Sequence, residues 1–241
     1  MLKLKYLCEN YELAKFALKN WDHDTDTLDG ALQQFRISSN AVYPFSWQGT
    51  RYFLRLSPVS EKIENNLKGE LEFLCYLQNR NYPAVIPVPS HSGELVITLD
   101  SNWGSYYASV FKGVDGIPIE DTDCNRAILY AYGKALGRLH LLSAEYTPGI
   151  RKWAYPDILS WIGKTLEKYH APGRMLTELE EVRQALDELP QTGDTFGLVH
   201  YDFEPDNVFW DENKQYCTAI DFEDGMYHFF LVDLEQALDG L

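Results

Sequence analysis

The chain has 241 residues, 45% hydrophobic and 24% charged, with four cysteines and a net charge of −15. That length holds one large or two small lobes around a real core, and no stretch approaches the roughly 20 apolar residues a membrane span needs. The acidic balance argues against a nucleic-acid backbone or an anionic membrane as main partner.

Cys8, Cys75, Cys124 and Cys217 stand far apart, with no spacing for a zinc site or a disulfide framework. Isolated thiols, and a first segment without the pattern of a cleavable leader, point to a cytoplasmic protein.

In chain order, a short helix is expected over 10–20. Strands follow over 33–57: Phe35-Arg36-Ile37, a polar break at Ser38-Ser39-Asn40, then 42–47, a turn at Gln48-Gly49-Thr50, and 52–56 as the second arm of a hairpin. A helix over 62–80 places Leu67, Leu71, Leu74 and Leu77 on one face. Pro83, Pro87 and Pro89 mark an extended stretch. Two more strands are expected over 94–99 and 106–111, then a connector over 112–116. Helices follow over 124–143, 156–169 and 175–189, short strands over 198–201, 208–210 and 217–220, and a last helix over 231–238. A β-rich first third and a helix-rich remainder suggest two lobes with a cleft between them, in the α+β class.

Charge is uneven along the chain. Within 198–241 eleven acids face one base, Lys214, which accounts for ten of the fifteen net negative charges. A solvated acidic face would explain this; so would a site for metal ions or a basic substrate.

The informative stretch lies in that segment. His200-Tyr201-Asp202 leaves a short strand, Asn207 ends the loop, and one hairpin later Asp221 ends an apolar strand. Three oxygen-bearing side chains from two strand ends suit phosphoryl transfer, in which a carboxylate accepts the proton of the attacking hydroxyl. An amide oxygen and a second carboxylate then hold magnesium against nucleotide phosphates. Taken alone, His200-Tyr201-Asp202 also fits a metal-hydrolase dyad or a plain turn after a strand.

His200-x-Asp202-x-x-x-x-Asn207, followed by Ile220-Asp221-Phe222-Glu223, resembles the catalytic loop and metal segment of the aminoglycoside phosphotransferase and choline kinase superfamily. The trailing Asp233-Leu234, the helix around 136–140, and the pair of Arg55 on a strand and Glu70 on a helix are similar to further family features. The resemblance covers about 35–238. It implies a bilobal, protein-kinase-like fold with a nucleotide-binding lobe over 1–112 and a catalytic and substrate lobe over 113–241.

It also implies an ATP-dependent kinase with magnesium, acting on a hydroxyl of a small, cationic molecule. Asp202 would be the base, and Asn207 and Asp221 magnesium ligands. Arg55, held by Glu70, would meet the nucleotide phosphates, Ser39 and Asn40 would lie in the phosphate loop, and backbone from Phe111 to Gly113 would meet the adenine.

Tyr201 stands where the family mostly has glycine, and Glu204 where many members have histidine. Most members also run well past the helix after Asp233. The stop at Leu241 therefore implies an acceptor site that is incomplete or completed by a partner chain.

Blander roles remain open for several residues. Arg55 also reads as a surface cation, Glu70 as a solvated helix carboxylate, Ser39-Asn40 as a plain turn, and Asp233 as an N-cap. His140 also reads as packing or capping within its helix, and His200 as a structural hydrogen-bonding residue. Two other functions stay in view. A Ser/Thr protein kinase is disfavoured by the 12 residues from Asp221 to Asp233, too short for an activation segment, and by the lack of an Ala-Pro-Glu tripeptide. A nucleotide-binding homologue with weak turnover is the other.

Overall fold

The structure is a computed structural model and describes residues 10–239 and 241. Cys8 lies outside them; Cys75, Cys124 and Cys217 are free thiols. No helix among the described residues is long and apolar enough to cross a membrane.

The chain opens with α1 (Tyr11–Leu18), where the Asn10 side chain accepts the N–H of Leu13 and so caps the first turn. A second helix, α2 (Thr25–Leu32), was not expected from the sequence. Its Thr-Asp-Thr-Leu-Asp-Gly-Ala-Leu run buries only Leu28 and Leu32, too few apolar positions to show a period.

Next come β1 (Arg36–Ile37), β2 (Ala41–Trp47), β3 (Thr50–Pro58), α3 (Glu64–Asn79), β4 (Ile86–Val88), β5 (Val96–Ser101) and β6 (Gly104–Lys112). The six strands form one antiparallel sheet in the order β1-β2-β3-β6-β4, with β5 also pairing with β6. Side chains alternate across β3. Leu54 and Leu56 join a buried cluster with Tyr43, Phe45, Val110 and the inner faces of α1 and α2. Arg55, one residue out of phase, meets α3 on the other face through Glu70.

The remainder comprises β7 (Ile117–Pro118), α4 (Arg126–Glu145), α5 (Tyr155–Lys168), α6 (Gly173–Asp187), β8 (Phe196–Leu198), β9 (Val208–Asp211), β10 (Tyr216–Ala219), β11 (Tyr227–Phe229) and α7 (Leu231–Asp239). The hairpin of β9 and β10 takes β7 as a third strand, and β8 pairs with β11. Neither β7 nor β11 was expected, since two or three residues are too short to show alternation. The connector ends in Gly116, at φ +99°, where a Cβ would sit 2.3 Å from the Trp210 carbonyl oxygen. Only glycine fits there.

The predicted apolar face of the 62–80 helix is buried, with Leu67, Leu71, Leu74 and Leu77 all within 3% of full burial. None of the four is part of the α1–α2 cluster. Leu71, Leu74 and Leu77, with Phe73, pack with Phe111, Leu136, Leu139, Leu198, Phe203, Val208 and Phe222. Helix α3 therefore shares a core with residues from both parts of the chain.

Candidate active site

The loop after β8 is built on buried anchors. His200 is 1% exposed; its Nε2 lies 2.8 Å from the Ile220 carbonyl, and its Nδ1 accepts the Asp202 N–H at 3.3 Å. Nε2 must then carry the proton, because a carbonyl can only accept. Burial depresses the imidazole pKa, in keeping with a neutral ring. His200 thus joins the Asp202 loop to the strand end before Asp221 and carries no proton for chemistry. Phe203 is fully buried under the His200 ring, and its carbonyl accepts the Tyr132 hydroxyl at 2.6 Å.

Asp233 is not an N-cap. Its carboxylate, with no exposed surface, accepts the backbone N–H groups of His200 at 3.0 Å and Tyr201 at 2.7 Å, and His140 Nε2 lies 2.9 Å away. His140 likewise does not act within its own helix; it reaches this carboxylate and stacks on Phe230. Tyr201 takes φ +68°, which is why a glycine suits this position and why two bonded amides matter here. Asp233→Ala would leave the buried His200 N–H and the half-buried Tyr201 N–H without this acceptor. We expect a loss of about 2–4 kcal/mol in urea denaturation.

Asp202 and Asn207 meet directly. The Asn207 Nδ2 donates to Asp202 Oδ2 at 2.8 Å and to the Asp202 carbonyl at 3.1 Å. Both partners are acceptors, so the amide nitrogen faces them and its oxygen turns the other way. The Asn207 carbonyl accepts the Ile220 N–H at 2.9 Å, which brings Asp221 alongside. Asp221 sits at φ +58°.

Both acids hold their protons more tightly than usual. Asp202 is pushed up to about 6 by burial, and further by Glu204, Asp224 and Asp206; the Asn207 bond pulls the other way. Asp221 is also pushed up to about 6 by burial, partly relieved by Arg55 and reinforced by Glu70, Glu223 and Asp224.

From the sheet side, Arg55 makes a two-pronged ion pair with Glu70 at 2.9 and 2.7 Å, and its guanidinium lies 4.8 Å from the Phe111 ring. Arg55 and Glu70 are 6% and 2% exposed, so neither is a surface group. Burial disfavours the Arg55 charge, but Glu70 and Glu223 outweigh it and raise the pKa. The Arg55 Nε is buried and finds no hydrogen-bond partner among the described residues.

Glu223 draws the first third of the chain onto the Asp221 segment. Its carboxylate accepts from Asn40 Nδ2 and Lys62 Nζ and lies 3.4 Å from Arg55. Burial would raise its pKa, but Arg55 and Lys62 hold it below the usual carboxylate value.

Asn40 is buried, where its Oδ1 accepts the Ser57 hydroxyl at 2.7 Å; Ser39 is exposed beside it and accepts from Asn40 Nδ2 at 3.3 Å. The Phe111 side chain packs under Arg55, while its backbone lies between β3 and β4. The Gly113 N–H already donates to the Arg51 carbonyl at 2.8 Å, so any base contact there falls to other backbone groups. The structure thus brings Asp202, Asn207, Asp221, Arg55, Glu70 and Asn40 to one region, with Phe111 beneath it and Ser39 and Gly113 at its margins.

Sequence reasoning missed Lys62 and Lys152, lone lysines outside any pattern, gave Glu223 no structural partner, and kept His140 within its own helix rather than on Asp233. Asp233 was visible as a motif, but its contacts with 200 and 201 are not visible from spacing.

A metal could be held by Asn207 and Asp221. Among the described residues, no three His, Cys, Asp or Glu side chains come together as a cage. One amide oxygen and one carboxylate suit magnesium, which commonly takes few protein ligands and completes its shell with waters and substrate phosphates. The donor set fits that ion.

Known proteins resemble this chain over most of its length. The chain is 27% identical over 205 residues to the amicoumacin kinase of Bacillus subtilis, covering 82% of this chain and 59% of that protein. It is 31% identical over 222 residues to the homoserine kinase of Caulobacter vibrioides, covering 82% and 66%. The chain thus spans about three fifths to two thirds of the length of these two relatives. An amicoumacin kinase solved in complex with AMP-PNP, Ca2+ and Ami superposes on 100% of this chain and 72% of its own, at a TM-score of 0.84 and 23% identity. The fold is that of the protein-kinase-like phosphotransferases. Because the profile described as "Phosphotransferase enzyme family" matches residues 32–240, well over half of the sequence, the chain belongs to that family.

Proposed function

We propose that the protein is an ATP-dependent small-molecule kinase that transfers the γ-phosphoryl group to a hydroxyl of a cationic acceptor. The nucleotide would lie between a lobe over 1–112 and one over 113–241. Asp202 orients the acceptor hydroxyl and takes its proton as the oxygen attacks phosphorus. Asn207 and Asp221 would hold magnesium, which when bound neutralises charge on the phosphates. Arg55, braced by Glu70 and lying over Phe111, faces the phosphates with Asn40 and Ser39, and backbone from Phe111 to Gly113 borders the base.

The preference for a cation rests on the acids around the base: Asp202 is pushed up to about 6 first by burial and then further by Glu204, Asp224 and Asp206. The position next to the base therefore carries a negative field, which concentrates cations. A base of this pKa is mostly ionised at pH 7 and still proton-seeking, as general-base catalysis requires.

The test is ADP release with Mg-ATP and a panel of hydroxylated acceptors of matched size, bearing an amine, no charge or a carboxylate. Amine-bearing acceptors are expected to give the highest kcat/KM, falling as salt rises from about 0.05 to 0.5 M. Equal, salt-insensitive use of neutral and anionic acceptors would refute the charge preference. No turnover with any acceptor, despite Mg-ATP binding, would favour a nucleotide-binding homologue.

A further inference from the structure

Lys152 lies in the extended stretch between α4 and α5 and is only 3% exposed. Its ammonium donates to the carbonyls of Phe222 at 3.0 Å and Glu223 at 2.7 Å, the two peptide units after Asp221.

The slot it occupies is cut into α3. A Cβ on Gly69 would lie 2.8 Å from Lys152 Cγ and 2.9 Å from the Ile150 carbonyl oxygen. One turn to either side, α3 grips the same stretch: Asn66 Oδ1 accepts the Trp153 N–H at 2.9 Å, and Glu72 accepts those of Gly149 at 2.6 Å and Ile150 at 3.1 Å. Asn66, Gly69 and Glu72 are three residues apart and so share one helix face. Glu70, next to Gly69, holds Arg55.

We propose that Lys152 is a positioning residue for phosphoryl transfer, its ammonium fixing the Phe222–Glu223 backbone and so the placement of Asp221 and Glu223 relative to α3 and Arg55. The role rests on the reading of Asp221 as a magnesium ligand. Packing alone does not require an ammonium here, because an apolar stem of the same length would fill the slot without the cost of burying a charge. That cost is visible: burial lowers the Lys152 pKa to about 8, against the pull of Glu70 and Glu223. Two charge-assisted bonds to successive carbonyls are what the charge supplies in return.

The test is a magnesium titration of the thermal shift given by saturating ATP, with kcat and KM measured alongside. Lys152→Met keeps the stem and removes both bonds. It is expected to raise the magnesium half-saturation about 10–100-fold and to lower kcat, with acceptor KM little changed. A cooperative nucleotide-free melt with half-saturation within about twofold of wild type would overturn the role.

Should Lys152→Met lack a cooperative melt, Gly69→Ala decides. It keeps the ammonium but drives a methyl into the stem, and the same rise in half-saturation is expected; an unchanged value would overturn the role. If wild type itself shows no magnesium-dependent shift, or Asp221→Ala keeps it, the reading of the metal site fails and this role with it. If Asp221→Ala abolishes the shift and the Lys152 and Gly69 variants keep wild-type values, only the Lys152 role is lost.

Discussion

Asp202→Asn is expected to lower turnover by about 10²–10⁴-fold while leaving Mg-ATP affinity close to wild type. The variant keeps an oxygen to accept the Asn207 Nδ2 hydrogen bond, so the loop geometry survives. What it loses is the only proton acceptor proposed for the hydroxyl. Retention of more than about a third of wild-type kcat would refute the assignment.

The same substitution should stabilise the nucleotide-free protein at neutral pH. The Asp202 carboxyl titrates at about 6 in the fold, against about 3.9 when unfolded. Between those values the folded state holds more protons, so stability falls as pH rises, and the penalty is complete above pH 6. Asparagine removes that penalty. With a discount for a half-buried site of about 1 kcal/mol net, the melting temperature at pH 7.5 should rise by about 2–4 °C, and the gain should shrink toward pH 4. A lower melting temperature at pH 7.5 would contradict the electrostatic picture.

Asp221→Ala is expected to abolish the magnesium-dependent part of the ATP-induced thermal shift and to reduce turnover at least as far as Asp202→Asn. With only Asn207 left to the metal, the charge on the phosphates is poorly offset. The backbone adds a small separate cost, because alanine tolerates φ +58° less well than aspartate, by roughly 1 kcal/mol. That cost, and the opposite gain from removing a buried carboxyl whose pKa is raised to about 6, both appear in the nucleotide-free melt and can be subtracted together. A magnesium-dependent shift equal to wild type would move the metal site elsewhere.

The legible parts of this protein share a local signature. The burial of Leu67, Leu71, Leu74 and Leu77 follows from a helical period, and the hairpin of β2 and β3 follows from a glycine turn between apolar runs. Residues 200–207 and 220–223 were visible because each spacing lies within one strand end and its loop. What escaped was encoded in pairs distant along the chain. Asp233 meets His200 across 33 residues, Glu223 meets Asn40 across 183, and Lys152 meets Phe222 across 70. No period or motif links such partners; the topology alone makes them neighbours. The α2 helix escaped for another reason, since two buried leucines against β2 can hold a sequence with little helical pattern of its own.

The placement of α3 bears on how the molecule comes apart. The sheet ends at Lys112, but the apolar face of α3 is buried against Phe111, Leu139, Phe203 and Phe222. A fragment cut at the connector would expose Leu71, Phe73, Leu74 and Leu77 to water and strand the Arg55–Glu70 pair beside them. The two halves of the chain are therefore joined through a common interior, even though the six-stranded sheet belongs to only one of them, and are expected to unfold together in a single thermal transition.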